Sequence, residues 1–93
     1  MIKSVIVELL TANGCNRCRQ VRDRIRHAIG EWPEDTFHYR EVNVVDEIDY
    51  AVELGVVSTP SVAIGGVLVF TGPPSEKKLR QALQTALDLQ EYS

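Results

Sequence analysis

Two cysteines with two residues between them, Cys15 and Cys18, stand at the junction of two different hydrophobic patterns. Upstream, "KSVIVELL" is a short apolar run rich in Val and Ile, which predicts a buried strand from Lys3 to Leu10. Downstream, Cys18, Val21, Ile25, Ala28 and Ile29 recur at the three-and-four spacing of one helix face. That helix is predicted from Cys15 to Gly30, where the glycine and the following Trp32-Pro33 stop it. A strand, a "TANG" turn, a cysteine pair and a long helix leave few folds open. The helix is long enough to cross over and return the chain to a parallel strand by a right-handed connection.

The rest of the chain supplies the partners. "FHYREVNV", Phe37 to Val44, has β-rich character, and "DEIDYAVELG" reads as a short helix closed by Gly55. "PSVAI" and "VLVF" flank Gly65-Gly66, a hairpin signal because both central turn residues can take positive φ. The last segment, "SEKKLRQALQTALDL", has Ser75 as its N-cap and an apolar stripe of Leu79, Ala82, Leu83, Ala86 and Leu87, with fraying expected past Leu89. The predicted order is βαβαββα, an α/β arrangement. Its 93 residues suffice for one hydrophobic core, so residues 1–93 are expected to form a single domain.

The cysteine spacing carries the chemistry. A disulfide between Cys15 and Cys18 closes a very small loop, so it restricts the unfolded chain little and stabilises the fold little. Such a bridge is better suited to being made and broken. At the predicted helix start, free N–H groups and the helix dipole favour a thiolate at Cys15, while Cys18 falls on the buried stripe. Cys15 is thus the expected attacking thiol and Cys18 the resolving one. Arg17, and beyond it Arg19, are cations placed to stabilise the Cys15 thiolate, whereas Arg22, Arg24 and Arg26 read as a solvated helix face. A stabilised thiolate favours the reduced form and predicts a comparatively oxidising pair.

Other readings of the pair stay open on the residues alone. An intrachain zinc site needs four ligands, and beyond the cysteines the chain offers His27 and His38, which lack the usual spacing. Two chains could share a metal or iron–sulfur cluster through four thiolates. Both cysteines could also be plain core residues. The net charge of −3 gives no reason to expect nucleic acid or an anionic membrane as a partner. No run approaches the roughly 20 apolar residues of a membrane span. The N-terminal apolar run is broken by Glu8 and no small-residue cleavage site follows, so a cytoplasmic, reducing location is expected.

Strand, Cys-x-x-Cys, helix, then "STP" before a hairpin and a closing helix resemble the thioredoxin/glutaredoxin superfamily. "GCNRC" followed by "YAVELGVVSTPSVAIGGVLVFTGPPSEKKLRQAL" is similar to small redox-active disulfide proteins of archaea and bacteria, over nearly the whole chain. The resemblance implies a four-stranded mixed sheet of order 2-1-3-4, with the first and last helices on one face and the middle helix on the other. It further implies a cis Thr59–Pro60 bond beside the cysteines. Backbone groups of Thr59 would then bind an extended substrate, and Pro60 would hinder metal capture.

Two departures stand out. Gly14 replaces the tryptophan that usually precedes the first cysteine, so Trp32 is expected to pack at the helix end instead. Leu9 replaces a buried acid, and the neighbouring Glu8 should point to the opposite face of the sheet. "TGPPSE" puts prolines where glutathione capture needs backbone donors, which favours protein dithiols. The expected function is thiol–disulfide exchange on protein disulfides, with no organic cofactor and a monomer as the working form. An upstream reductase, thioredoxin or small thiol would recharge the pair. The alternatives are a metal- or cluster-binding module across a dimer and a redox-inactive adaptor.

Overall fold

β1 (Val5–Thr11) is central to the structure, a computed structural model that describes residues 4–91. Five of its seven residues are buried, because it is flanked by strands on both sides and by helices on both faces. β1 is followed by α1 (Cys18–Ile29), β2 (Phe37–Asn43), α2 (Ile48–Leu54), β3 (Ser61–Ile64), β4 (Val67–Phe70) and α3 (Glu76–Glu91). The sheet order is β2-β1-β3-β4; β1 and β2 are parallel, in register from Val5↔Phe37 to Thr11↔Asn43, and the other pairings are antiparallel. This is the expected topology.

Alternation along β1 sorts its side chains to two cores. Val5, Val7 and Leu9 pack with Val21, Ile25 and Ala28 of α1 and with Leu79 and Leu83 of α3. Leu10 turns the other way, with Val42 and Ala63, toward Tyr50 and Leu54 of α2. Trp32 packs edge-to-face on Phe37, their ring centroids 5.2 Å apart, beyond the end of α1. Gly65 and Gly66 take φ of 62° and 82°, the left-handed pair that a two-residue hairpin needs.

Some boundaries differ from the sequence reading. The predicted start of the first strand, Lys3, lies outside the described residues. α1 begins at Cys18 rather than Cys15, since Cys15 N–H donates to Ala12 O at 3.1 Å and Gly14 sits at φ 79°, holding the segment before it in a turn. α2 begins at Ile48 because Asn43 Oδ1 takes the N–H groups of Val45 and Asp46, keeping those residues in a turn. α3 continues to Glu91, past the expected fraying point, supported in its last turns by Gln84 Nε2 donating to Asp88 Oδ1 at 3.0 Å. Ser75 caps α3 as expected, its Oγ accepting from Lys78 N–H at 3.2 Å.

The arginines of α1 do more than solvate a helix face. Arg22 makes a bidentate pair with Glu41 of β2, both N–O distances 2.7 Å. The hydrogen bond from Arg22 holds the Glu41 carboxyl below its ordinary pKa. Arg24 donates to Pro74 O at 2.9 Å, and the Arg26 guanidinium lies 5.6 Å from the centre of the Tyr39 ring. Together these contacts tie α1 to β2 and to the segment that leads into α3.

Candidate active site

Because β1 and β2 are parallel and β3 runs against β1, the segments after Thr11, after Asn43 and before Ser61 meet at one end of the sheet. Val44 N–H donates to Thr11 O at 2.9 Å and Asn43 Nδ2 donates to Asn13 Oδ1 at 3.3 Å, which fixes the cysteine loop against the end of β2. Ser61 Oγ donates to Ser58 O at 2.6 Å, and Ser58 Oγ donates to Thr71 O at 2.9 Å. These bonds anchor the Ser58-Thr59-Pro60 segment from both ends.

Cys15 and Cys18 are joined, Sγ to Sγ at 2.06 Å. The two are not equivalent. Cys18, the first residue of α1, is 5% exposed, whereas Cys15 is only half-buried in the loop ahead. Arg17 occupies the N-cap position, no side chain caps the helix, and its first turn contains no acid. Neither the cap nor the first turn of α1 thus sets an acidic side chain against its positive end.

The Thr59–Pro60 bond is cis, and a hollow of about 340 Å³ brings Thr59 and Pro60 together with Cys15 and Arg17. Asn13 and Asn16 also line it; from the sequence Asn13 falls in the predicted turn and Asn16 in the predicted helix, and neither is expected at the site. Their signal was the clustering of short polar side chains around Gly14. Cys18 does not line the hollow and lies behind Cys15 on the buried stripe of α1. Arg19 is exposed and lies outside it.

Neither histidine joins the cysteines. His27 pairs with Glu76 of α3, and His38 stands on β2 opposite Ile6. Among the described residues, no group of three or more His, Cys, Asp or Glu is gathered as for a metal ion.

Glu8 is 2% exposed and faces α2, where it accepts from Tyr50 Oη at 2.6 Å and pairs with Arg40 Nε at 3.0 Å. Its hydrogen bond pushes the Tyr50 hydroxyl up to about 12. Glu8 thus serves the other side of the sheet from α1 and does not replace the acid missing at Leu9, which is itself fully buried in apolar contacts. The trio lines a larger cleft, of about 700 Å³, around the start of β1 and the hairpin turn. Its sequence signal was the lone acid Glu8 inside an apolar run; that Arg40 is its register partner on β2 emerges only from the fold.

A family model of the thioredoxin domain matches residues 5–84. The chain belongs to the thioredoxin domain family. A thioredoxin of Methanocaldococcus jannaschii is 27% identical over 86 residues, covering 92% of this chain and 100% of the relative. A probable thioredoxin of Methanothermobacter thermautotrophicus is 26% identical over 84 residues, covering 90% and 98%. Among solved structures, thioredoxin-2 of a malaria parasite superposes with a TM-score of 0.74 at 16% identity, over 91% of this chain and 85% of that one. The thioredoxin of Fasciola hepatica does so with 0.71 at 24% identity, over 89% and 81%. At such identities the structural likeness speaks for the fold. Thioredoxin family membership and the joined Cys15–Cys18 pair make this chain a thiol–disulfide oxidoreductase. They favour disulfide exchange over the metal-bridged module and the redox-inactive adaptor. No helix among the described residues is long and apolar enough to cross a membrane.

Proposed function

We propose that Cys15 attacks protein disulfides and Cys18 resolves the product. The observation that carries this division is the half-exposure of Cys15 at the hollow, against the burial of Cys18 behind it. The Cys15 thiolate attacks one sulfur of the target, forming a mixed disulfide and releasing the other target sulfur as a thiolate. Cys18, deprotonated in turn, attacks Cys15 Sγ. The Cys15–Cys18 disulfide forms, and the second target thiolate leaves. Two electrons pass to the target, and its two thiolates take up, through solvent, the protons that the cysteine thiols gave up. No further cofactor enters the exchange. A dithiol reductase, thioredoxin or small thiol then returns the pair to its reduced form in a reducing cytoplasm.

Thr59 and Pro60 form the wall on which an extended target segment lies, its backbone bonding to that of Thr59 by strand-like addition. Arg17 and the uncapped start of α1 lower the thiol pKa at Cys15 by favouring its anion. In the disulfide, Cys15 Sγ is bonded to the first residue of α1, although Cys15 itself is not helical. Pro73 and Pro74 carry no N–H with which to hold a tripeptide backbone, which supports protein targets over glutathione.

Ultraviolet titration of the reduced protein measures the first thiolate directly. The expected midpoint lies at least about one unit below the ordinary thiol value of about 8.5, and Arg17→Gln raises it. A first titration at the ordinary value would remove the electrostatic basis for choosing Cys15 as nucleophile.

A further inference from the structure

The chain has seven arginines, and five have partners. Arg22 is held by Glu41, Arg24 by Pro74 O, Arg26 over Tyr39, Arg40 by Glu8 and Glu47, and Arg80 by Glu31 and Glu76. The side chains of Arg17 and Arg19 have no such partner among the described residues. Of these two, only Arg17 lines the hollow beside Cys15, Thr59 and Pro60. It is also the only charged residue among the described ones that do so; the remaining polar side chains there are amides and a hydroxyl. No carboxylate of the protein thus competes for this guanidinium, while the adjoining surface is where a target backbone must lie. A guanidinium with free donors prefers a carboxylate to any other side chain, and repels ammonium groups.

We propose that Arg17 selects among targets: the chain reduces fastest those protein disulfides whose attacked cysteine is flanked by an acidic residue. This rests on Cys15 being the attacking thiol, and it adds the chemical class of the target. During attack the flanking carboxylate pairs with Arg17 across the hollow, which raises the encounter rate and holds the target sulfur near Cys15. A flanking lysine meets the same guanidinium with repulsion. Because the pair is exposed, its effect is modest and is weakened by salt.

The test uses two peptides, each with one intramolecular disulfide, identical except for glutamate or lysine beside the cysteines. The pre-reduced chain and its Arg17→Gln and Arg17→Glu variants reduce each peptide at low and high salt, and the ratio of the two rate constants is compared. The ratio cancels any change in Cys15 reactivity that the variants cause equally for both peptides. At low salt the unmodified chain is expected to favour the glutamate peptide by about fivefold. High salt should shrink that preference, Arg17→Gln should remove most of it, and Arg17→Glu should reverse it. Equal rates for both peptides, or a preference unchanged in Arg17→Glu, would overturn the role of Arg17 while leaving the exchange reaction intact. Reduction of neither peptide would instead overturn the disulfide-reducing function on which this proposal rests.

Discussion

Cys15→Ser is expected to abolish disulfide reduction, a loss of at least about a thousandfold, because a hydroxyl at neutral pH does not replace a thiolate as attacking group. Cys18→Ser should behave differently. Its Cys15 still attacks, but nothing within the chain displaces the target, so a mixed disulfide at Cys15 accumulates and turnover stops. Mass spectrometry of non-reduced protein, mixed with a peptide disulfide, reads the two outcomes side by side. The Cys18→Ser chain gains the mass of the peptide and returns to its starting mass on reduction; the Cys15→Ser chain gains none. Both variants should fold, since the bridge spans a sequence separation of only 3 and constrains the unfolded chain little. An adduct on Cys18 in the Cys15→Ser chain, formed as fast as the one on Cys15, would reverse the roles given to the two sulfurs.

The second large effect is on stability. Leu83 of α3 is fully buried among Val7 and Leu9 of β1 and the apolar stripe of α1, where the two long helices share one core. Leu83→Ala removes methyl and methylene groups from a site whose neighbours are tied to the sheet, leaving a cavity. The expected loss is about 2–5 kcal/mol. Against a typical total of about 5–15 kcal/mol, that is a large fraction. Urea unfolding of the oxidised protein measures it, with the midpoint moving and the slope staying constant. The reduction potential should hardly change, because Leu83 is not among the residues lining the hollow. Val69→Ala is the comparison: Val69 is 42% exposed on β4 and its loss should cost far less. Equal effects of the two substitutions would contradict the core described above.

Much of the fold was legible because hydrophobic periodicity and turn chemistry agreed. Val7 and Leu9 alternate to the α1–α3 face, Cys18, Val21 and Ile25 repeat at helical spacing, and Gly65-Gly66 can take the positive φ of a hairpin turn. The helix start was less legible. Periodicity marks which residues face the core, and Cys18 satisfies it whether or not Cys15 is helical; what decides is the Ala12–Cys15 hydrogen bond and the left-handed Gly14. The cis bond before Pro60 was accessible only through family resemblance, since nothing local to "STP" distinguishes it from a trans proline. The partners of Arg22, Arg24 and Arg26 were hidden because each lies on another element, brought close only by the folded chain. Glu8 was seen to face away from Leu9, but not that Arg40 and Tyr50 would hold it in the interior.

The central claim is that Cys15 and Cys18 cycle between dithiol and disulfide. Equilibrating metal-free protein in dithiothreitol and glutathione buffers of graded potential, then alkylating free thiols and weighing the products, tests it most directly. The account predicts a reversible two-electron transition in which both thiols become accessible together, and its loss in Cys15→Ser. A pair that never re-forms its disulfide, or one that stays oxidised in strongly reducing buffer, would contradict it.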